Sequence, residues 1–470
     1  MRQQGGAMDS QHRYSRLGMA AIAALCLWAA VAAAPAAAGT IPHLQWTNVY
    51  GPTTNQDMWN DVAVGPGHSV YVCGTQNLGQ GLAWLMTVAK YGANQKPLWQ
   101  TILTPAVETW SDGGASSQGR ALAVDHAGNV IVVGSSGASS GGFAVVKFAG
   151  SDGHIIWQKD FRVAGDASAR DVVLDSAGNA YVTGRATTGP ATGVAMYAAK
   201  FRAADGKRLW QNLYSGPLLT SEGDAIAIDA SRDTYVIGST LGSGSSNQWV
   251  TRKVSAAGKS LWTHRWSGAL KLGDVPSTVT VSTSAVYVAG STQTDVAGSH
   301  DAVLVKYDLA GHRRWAKQFK HPGTDAVVYG ACLDSSGRLL FCGLRHSNVP
   351  GPDKTFLAKV TPAGKTVWLR SDPSPSNPLG AMGYYAIVRG PSGSMYLSGF
   401  EAPSATDTDV LVEKHTAAGK VAWQADYGWP DGGDDNGGAL ALDGTAGLYV
   451  TGEIWTTNNF IDATLQKYKP

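Results

Sequence analysis

Short apolar stretches alternate with glycine-rich polar turns along almost the whole chain, and the stretches recur in a fixed order. A first, rich in alanine and valine, ends in aspartate, as in ALAVD to Asp125, DVVLD to Asp175, AIAID to Asp229 and ALALD to Asp443. A D-x-x-G-N turn follows, for example Asp175 to Asn179, where Asp caps the turn and Gly takes a positive φ. A second stretch reads YVxG (Tyr71 to Gly74, Tyr181 to Gly184, Tyr235 to Gly238). A third ends in lysine, and after an A-x-G-K turn a fourth carries tryptophan. β-Branched and aromatic enrichment between glycine turns, with no run suited to a long helix, predicts strands throughout.

The unit repeats eight times. The lysines stand at 90, 147, 200, 253, 306, 359, 414 and 467, and the tryptophans at 46, 99, 157, 210, 262, 315, 368 and 423. A period of 53 to 57 residues fits four-stranded propeller blades. The last unit stops after its lysine strand, and the missing tryptophan strand stands at the other end as Leu44-Gln45-Trp46-Thr47. The expected fold is all-β: a single eight-bladed β-propeller closed by the N-terminal strand completing the C-terminal blade, with its sheet edges sealed. The recurrent tryptophans are expected in the core, wedging blade against blade.

Residues 1–38 read as an export signal, with Arg13 and Arg16 ahead of an apolar stretch from Leu17 to Val31 and an A-x-A site at Ala36 to Ala38. Residues 39–470 form the propeller domain. Cys26 raises a lipoprotein alternative, against which stand bulky Leu25 and its place inside the apolar stretch. No later run approaches the roughly 20 apolar residues of a membrane span, so the mature chain is expected to be soluble, monomeric, and periplasmic or extracellular. Without the signal, 34 basic side chains balance 34 acidic ones. That neutrality, with lysines spread one per repeat, argues against nucleic acid.

Units such as DSAGNAYVTG followed by AAKFRAADGKRLWQ resemble the secreted bacterial β-propeller repeat. Ala204 to Trp210 is similar to the tryptophan-docking repeat of eight-bladed quinoprotein propellers. The second resemblance implies a pyrroloquinoline quinone site: carboxylates and amides holding calcium, a catalytic Asp, and often two adjacent cysteines. No vicinal cysteine pair occurs here. A hydrolase would need two carboxylates across a substrate, and only five glutamates are present among many aspartates. No HExxH, P-loop or CxxC pattern appears, and the histidines lack metal-ligand spacing and read as solvated turn residues. Cys73 and Cys342 share one repeat position and read as buried and inert, with a Cys332–Cys342 disulfide left open.

Loops joining strand four to the next strand one, and strand two to strand three, lie on one face and vary in length. Polar and aromatic residues entering strand one, namely Trp59, Asp61, Arg120, Arg170, Asp171, Asp224, Tyr329 and Tyr385, are expected to ring the channel mouth and meet a ligand there. Asp431, Asp434, Asp435 and Asn436 offer oxygen ligands in a glycine-rich loop, a candidate calcium site. The sequence therefore points to an exported propeller, no cofactor beyond this calcium, presenting loops to a protein or carbohydrate partner. The alternative is a quinone-dependent dehydrogenase or a hydrolase with its site at the mouth.

Overall fold

The computed structural model describes residues 43–51, 56–77, 84–92, 95–103, 117–136, 141–162, 167–187, 193–242, 246–295, 298–320, 324–347, 353–372, 380–404, 407–429, 433–456 and 460–470. The expected signal lies outside the described residues. The strands form eight antiparallel four-stranded sheets, each ordered as the chain runs except the last. Blades 1 to 7 span 57–102, 117–162, 167–214, 221–266, 274–319, 324–370 and 382–427, and blade 8 spans 436–468. The first strand of each blade contacts the first strands of both neighbours, and blade 8 returns to blade 1. The ring is closed as its sequence requires.

Leu44–Tyr50 supplies the fourth strand of blade 8, pairing with Phe460–Tyr468 so that Trp46 faces Lys467 and Asn48 faces Leu465. This closure unites the two ends, but it does not seal every edge. The outer strand of each blade keeps one edge outward, and Leu98, Leu209, Leu261 and Val421 are exposed there. Among the described residues no helix is long and apolar enough to cross a membrane.

The repeated residues act between blades. Trp99 Nε1 and Lys90 Nζ both donate to the carbonyl of Gly150 in the next blade, at 3.2 and 2.6 Å. Trp157 and Lys147 do the same to Ala203 at 2.9 and 3.2 Å, and Trp262 and Lys253 to Leu309 at 3.2 and 3.1 Å. Four of these lysines also pair with the turn aspartates: Lys147–Asp125 (2.9 Å), Lys200–Asp175 (3.1 Å), Lys253–Asp233 (3.0 Å) and Lys359–Asp334 (2.8 Å). Trp99 and Trp157 are buried, whereas Trp210, Trp262, Trp315, Trp368 and Trp423 are half-buried. Trp99, Trp157, Trp210, Trp262 and Trp315 are therefore latches on the next blade's turn, and the repeat tryptophans are not uniform core residues.

Candidate functional site

The first strand of every blade carries an irregularity at the same step. Pairing with strand two skips a residue between Trp59 and Asp61, Gly119 and Ala121, Ala169 and Asp171, Gly223 and Ala225, Pro276 and Thr278, Val328 and Gly330, and Tyr384 and Ala386. In blade 8 the shift falls between Gly437 and Leu440. The residues left over are Asn60, Arg120, Arg170, Asp224, Ser277, Tyr329, Tyr385 and the pair Gly438–Ala439. A β-bulge frees its extra residue from the ladder and re-aims its side chain.

The glycine of YVxG makes this bulge. A Cβ on Gly134 would stand 1.7 Å from the carbonyl oxygen of Gln118, and one on Gly238 equally close to that of Glu222. Only a residue without a side chain lets the first strand fold in at that depth. The bulge is thus encoded on the neighbouring strand, and the residue it presents is free to differ from blade to blade.

Neighbouring bulge residues meet around the ring. Asn60 Nδ2 donates to Gly119 O at 2.6 Å. Arg170 of blade 3 bridges Asp224 and Glu222 of blade 4, and Arg185 reaches Glu222 at 3.2 Å. Burial opposes the Arg170 charge, but the carboxylates outweigh it and hold the guanidinium above its ordinary pKa. Arg120 donates to Gln118 at 3.2 Å. Tyr329 and Tyr385 of blades 6 and 7 meet edge to face at 5.3 Å, and Phe400 packs 5.6 Å from Tyr385. One arc of the ring is ionic and the opposite arc aromatic.

Five of the eight expected mouth residues, Arg120, Arg170, Asp224, Tyr329 and Tyr385, are bulge residues. The other three differ. Trp59 is 2% exposed and packs against Tyr50 in the core shared by blades 8 and 1, because it precedes the bulge and turns the other way. Asp61 accepts Val62 N and Leu122 N, each at 2.9 Å, and Asp171 accepts Val172 N at 2.8 Å and Ile226 N at 2.9 Å. Both fasten one inner strand to the next. Asn60, Ser277, Glu222 and Arg185 went unread, although the glycine of YVxG marks the first two.

Asp431 lies outside the described residues. Asp435, three residues before the blade 8 bulge, is fully buried and accepts Trp429 N at 2.5 Å and Trp455 N at 2.9 Å. Burial pushes its carboxyl up to about 7 against those two bonds, with Asp409 and Asp407 adding to the rise. Asp57 and Asp274 hold the same position in blades 1 and 5 and also accept backbone N–H groups. Asp434 sits in a bridge with Thr408, and Asn436 opens the inner strand opposite Glu453. Among the described residues no group of three His, Cys, Asp or Glu side chains is placed to hold a metal ion.

Cys73, Cys332 and Cys342 are free. Cys332 pairs with Leu340 and Cys342 with Gly330, a diagonal placement across one hairpin. Burial pushes the Cys332 thiol up to about 12 and raises Cys342 further, so both are poor nucleophiles. His415, unlike a turn residue, is fully buried. Away from the axis, a polar cleft of about 470 Å³ opens at the rim of blade 4 beside Thr263, His264 and Arg265.

No protein-family profile matches the chain, and no curated protein matches it. Solved structures do. A europium-containing methanol dehydrogenase matches with a TM-score of 0.55 at 11% identity, over 91% of this chain and 93% of that one. A quinohemoprotein alcohol dehydrogenase from Pseudomonas putida HK5 gives 0.53 at 12% identity, over 91% and 76%. That of Comamonas testosteroni gives 0.50 at 11% identity, over 90% and 76%. The chain is an eight-bladed propeller similar in fold to quinoprotein alcohol dehydrogenases. Of the mouth carboxylates, Glu222 is engaged by Arg170 and Arg185 and Asp224 by Arg170.

Proposed function

We propose that the protein is an exported, non-catalytic binding propeller that receives a protein or carbohydrate partner at the mouth of its channel. One observation carries this reading. In seven blades the same bulge recurs beside the same glycine, yet its residue runs Asn, Arg, Arg, Asp, Ser, Tyr, Tyr, and blade 8 leaves over the pair Gly438–Ala439. A backbone feature kept constant while its side chain varies is how a repeat scaffold carries a specific surface. The ionic arc supplies oriented hydrogen bonds, and the tyrosine arc supplies flat faces with polar tips suited to sugar rings or peptide side chains.

The test is binding of immobilised glycans and of envelope protein fractions by the intact protein and by Arg170→Ala and Tyr385→Ala variants. Partners retained by the native protein and lost by both variants support the reading; retention unchanged in both would refute it. The quinone reading rests on fold likeness alone. Titration with pyrroloquinoline quinone and calcium separates it, since uptake with the quinone's absorbance would replace the binding proposal with an enzyme.

A further inference from the structure

The third strand of most blades places apolar residues at two successive inward positions: Ala89 and Tyr91, Val146 and Phe148, Ala199 and Phe201, Ala358 and Val360. Blade 7 has Glu413 and His415 there instead, both buried. Leu397 and Leu411 of blade 7 pack on Leu340, Cys342 and Leu357 of blade 6. The two-residue alternation of strands puts Glu401, Asp409 and Glu413 on that same face. Register adds Asp426, which lies opposite Leu411, and Gln424, opposite Glu413. Four carboxyl groups are therefore gathered on one face of blade 7, with Glu413 standing where blades 1, 2, 3, 5 and 6 bury Ala89, Val146, Ala199, Val305 and Ala358.

Their bonds are mutual. Gln424 Nε2 donates to Glu401 Oε2 at 2.7 Å and lies 3.0 Å from both oxygens of Asp426. Glu413 accepts from Tyr384 OH and sits 2.5 Å from His415 Nε2. From blade 6, Thr355 bonds Tyr384 and the Asp372 charge acts on it. The blade 6 cations have partners of their own: Lys359 holds Asp334 at 2.8 Å, Arg370 donates to Gly419 and Ala418 carbonyls, Arg345 to Ser371, and His346 pairs with Asp353. On the blade 8 side the nearby groups are Tyr427 and Tyr468.

We propose that the interface between blades 6 and 7 is a pH-operated seam: Asp426 keeps its proton beside Glu401 and Gln424 while the ring is tight, and release of that proton to solvent loosens the two blades. Like charges held this close in a poorly solvated face cannot both ionise cheaply. Burial first, then the Glu401 and Glu413 charges, push Asp426 up to about 8. An acid raised in the folded state adds stability that is whole below its ordinary value near 3.8 and is lost as pH rises through the folded one. The seam is closed in mild acid and weakened above neutrality.

Hydrogen exchange of the full-length protein at pH 5 and pH 8, corrected for intrinsic rates, tests it. Peptides from 339–360 and 395–427 should lose protection about tenfold at pH 8, while those from 130–201 hold theirs. In parallel, Asp426→Asn and Glu401→Gln should each flatten the fall of melting temperature between pH 5 and 8. Uniform loss of protection around the ring, or an unchanged fall in whichever variant folds, would overturn the seam. If neither variant folds, the exchange map of the native chain decides alone.

Discussion

Gly206 lies beneath the indole of Trp157 on the preceding blade, so close that a Cβ there would stand 2.6 Å from Trp157 Cε3. The glycine also holds φ at +66°. Gly206→Ala should therefore cost more than the roughly 1–2 kcal/mol of a left-handed residue alone. Trp157→Ala should cost about 3–5 kcal/mol. Because the two touch, a double-mutant cycle by denaturant unfolding should show the pair to be non-additive.

The bulge glycines make a sharper demand. In Gly238→Ala the added methyl meets the Glu222 carbonyl, and only displacement of the inner strand relieves it. Destabilisation of about 1–3 kcal/mol is expected from overpacking. Partner binding should weaken as well, since Asp224 rides on the displaced strand and Arg170 of blade 3 is held by it. Thermal melting combined with binding of any partner found at the mouth checks both.

Asp435 is a backbone anchor. Asp435→Ala leaves two part-buried N–H groups, those of Trp429 and Trp455, without their acceptor, at about 1–3 kcal/mol in all. A lower melting temperature in calcium-free buffer is the expected result. A stabilising shift on adding calcium to the native protein, absent in the variant, would instead favour the calcium site read from the sequence.

The acid limb of stability belongs to other blades. Asp125, Asp175 and Asp334 are pushed up by burial, but bonds from Lys147, Lys200 and Lys359 and from the turn amides outweigh it and hold them below 3.8. A depressed carboxylate contributes stability above its ordinary value and loses it as pH falls through the folded one. Stability should decline below about pH 4, and Lys147→Met should reduce that decline, as read from melting temperature against pH.

Removing residues 39–50 tests the closure directly. Blade 8 would keep three strands and present the edge of Phe460–Tyr468 to solvent. The truncated protein should melt lower and self-associate on size-exclusion chromatography through that unpaired edge.

The period of the lysines and tryptophans, and the match of Trp46 to the unfinished last unit, made blade number and closure legible in the sequence. Repetition is a strong signal because one unit's reading is checked by seven others. The site was read unevenly for a geometric reason. Strand alternation predicts which residues share a face, but the bulge breaks it at the mouth, sending Trp59 inward while Asn60 takes the place expected of it. Glu401, Glu413 and Asp426 were invisible as a group, since they lie on three strands and only register brings them together. The duties of Asp61, Asp171 and Asp435 toward backbone amides depend on close approach of a second segment that no local pattern announces.

The pairing of Leu44–Tyr50 with Phe460–Tyr468 also sets a timetable. The strand made first waits for a partner made about 420 residues later, which at roughly 5–20 residues per second is about 20–80 s of synthesis. Throughout that interval the nascent polypeptide cannot complete its circle, so a ribosome-bound or translocating chain stays threadable, and the velcro snaps shut only once both termini share a compartment.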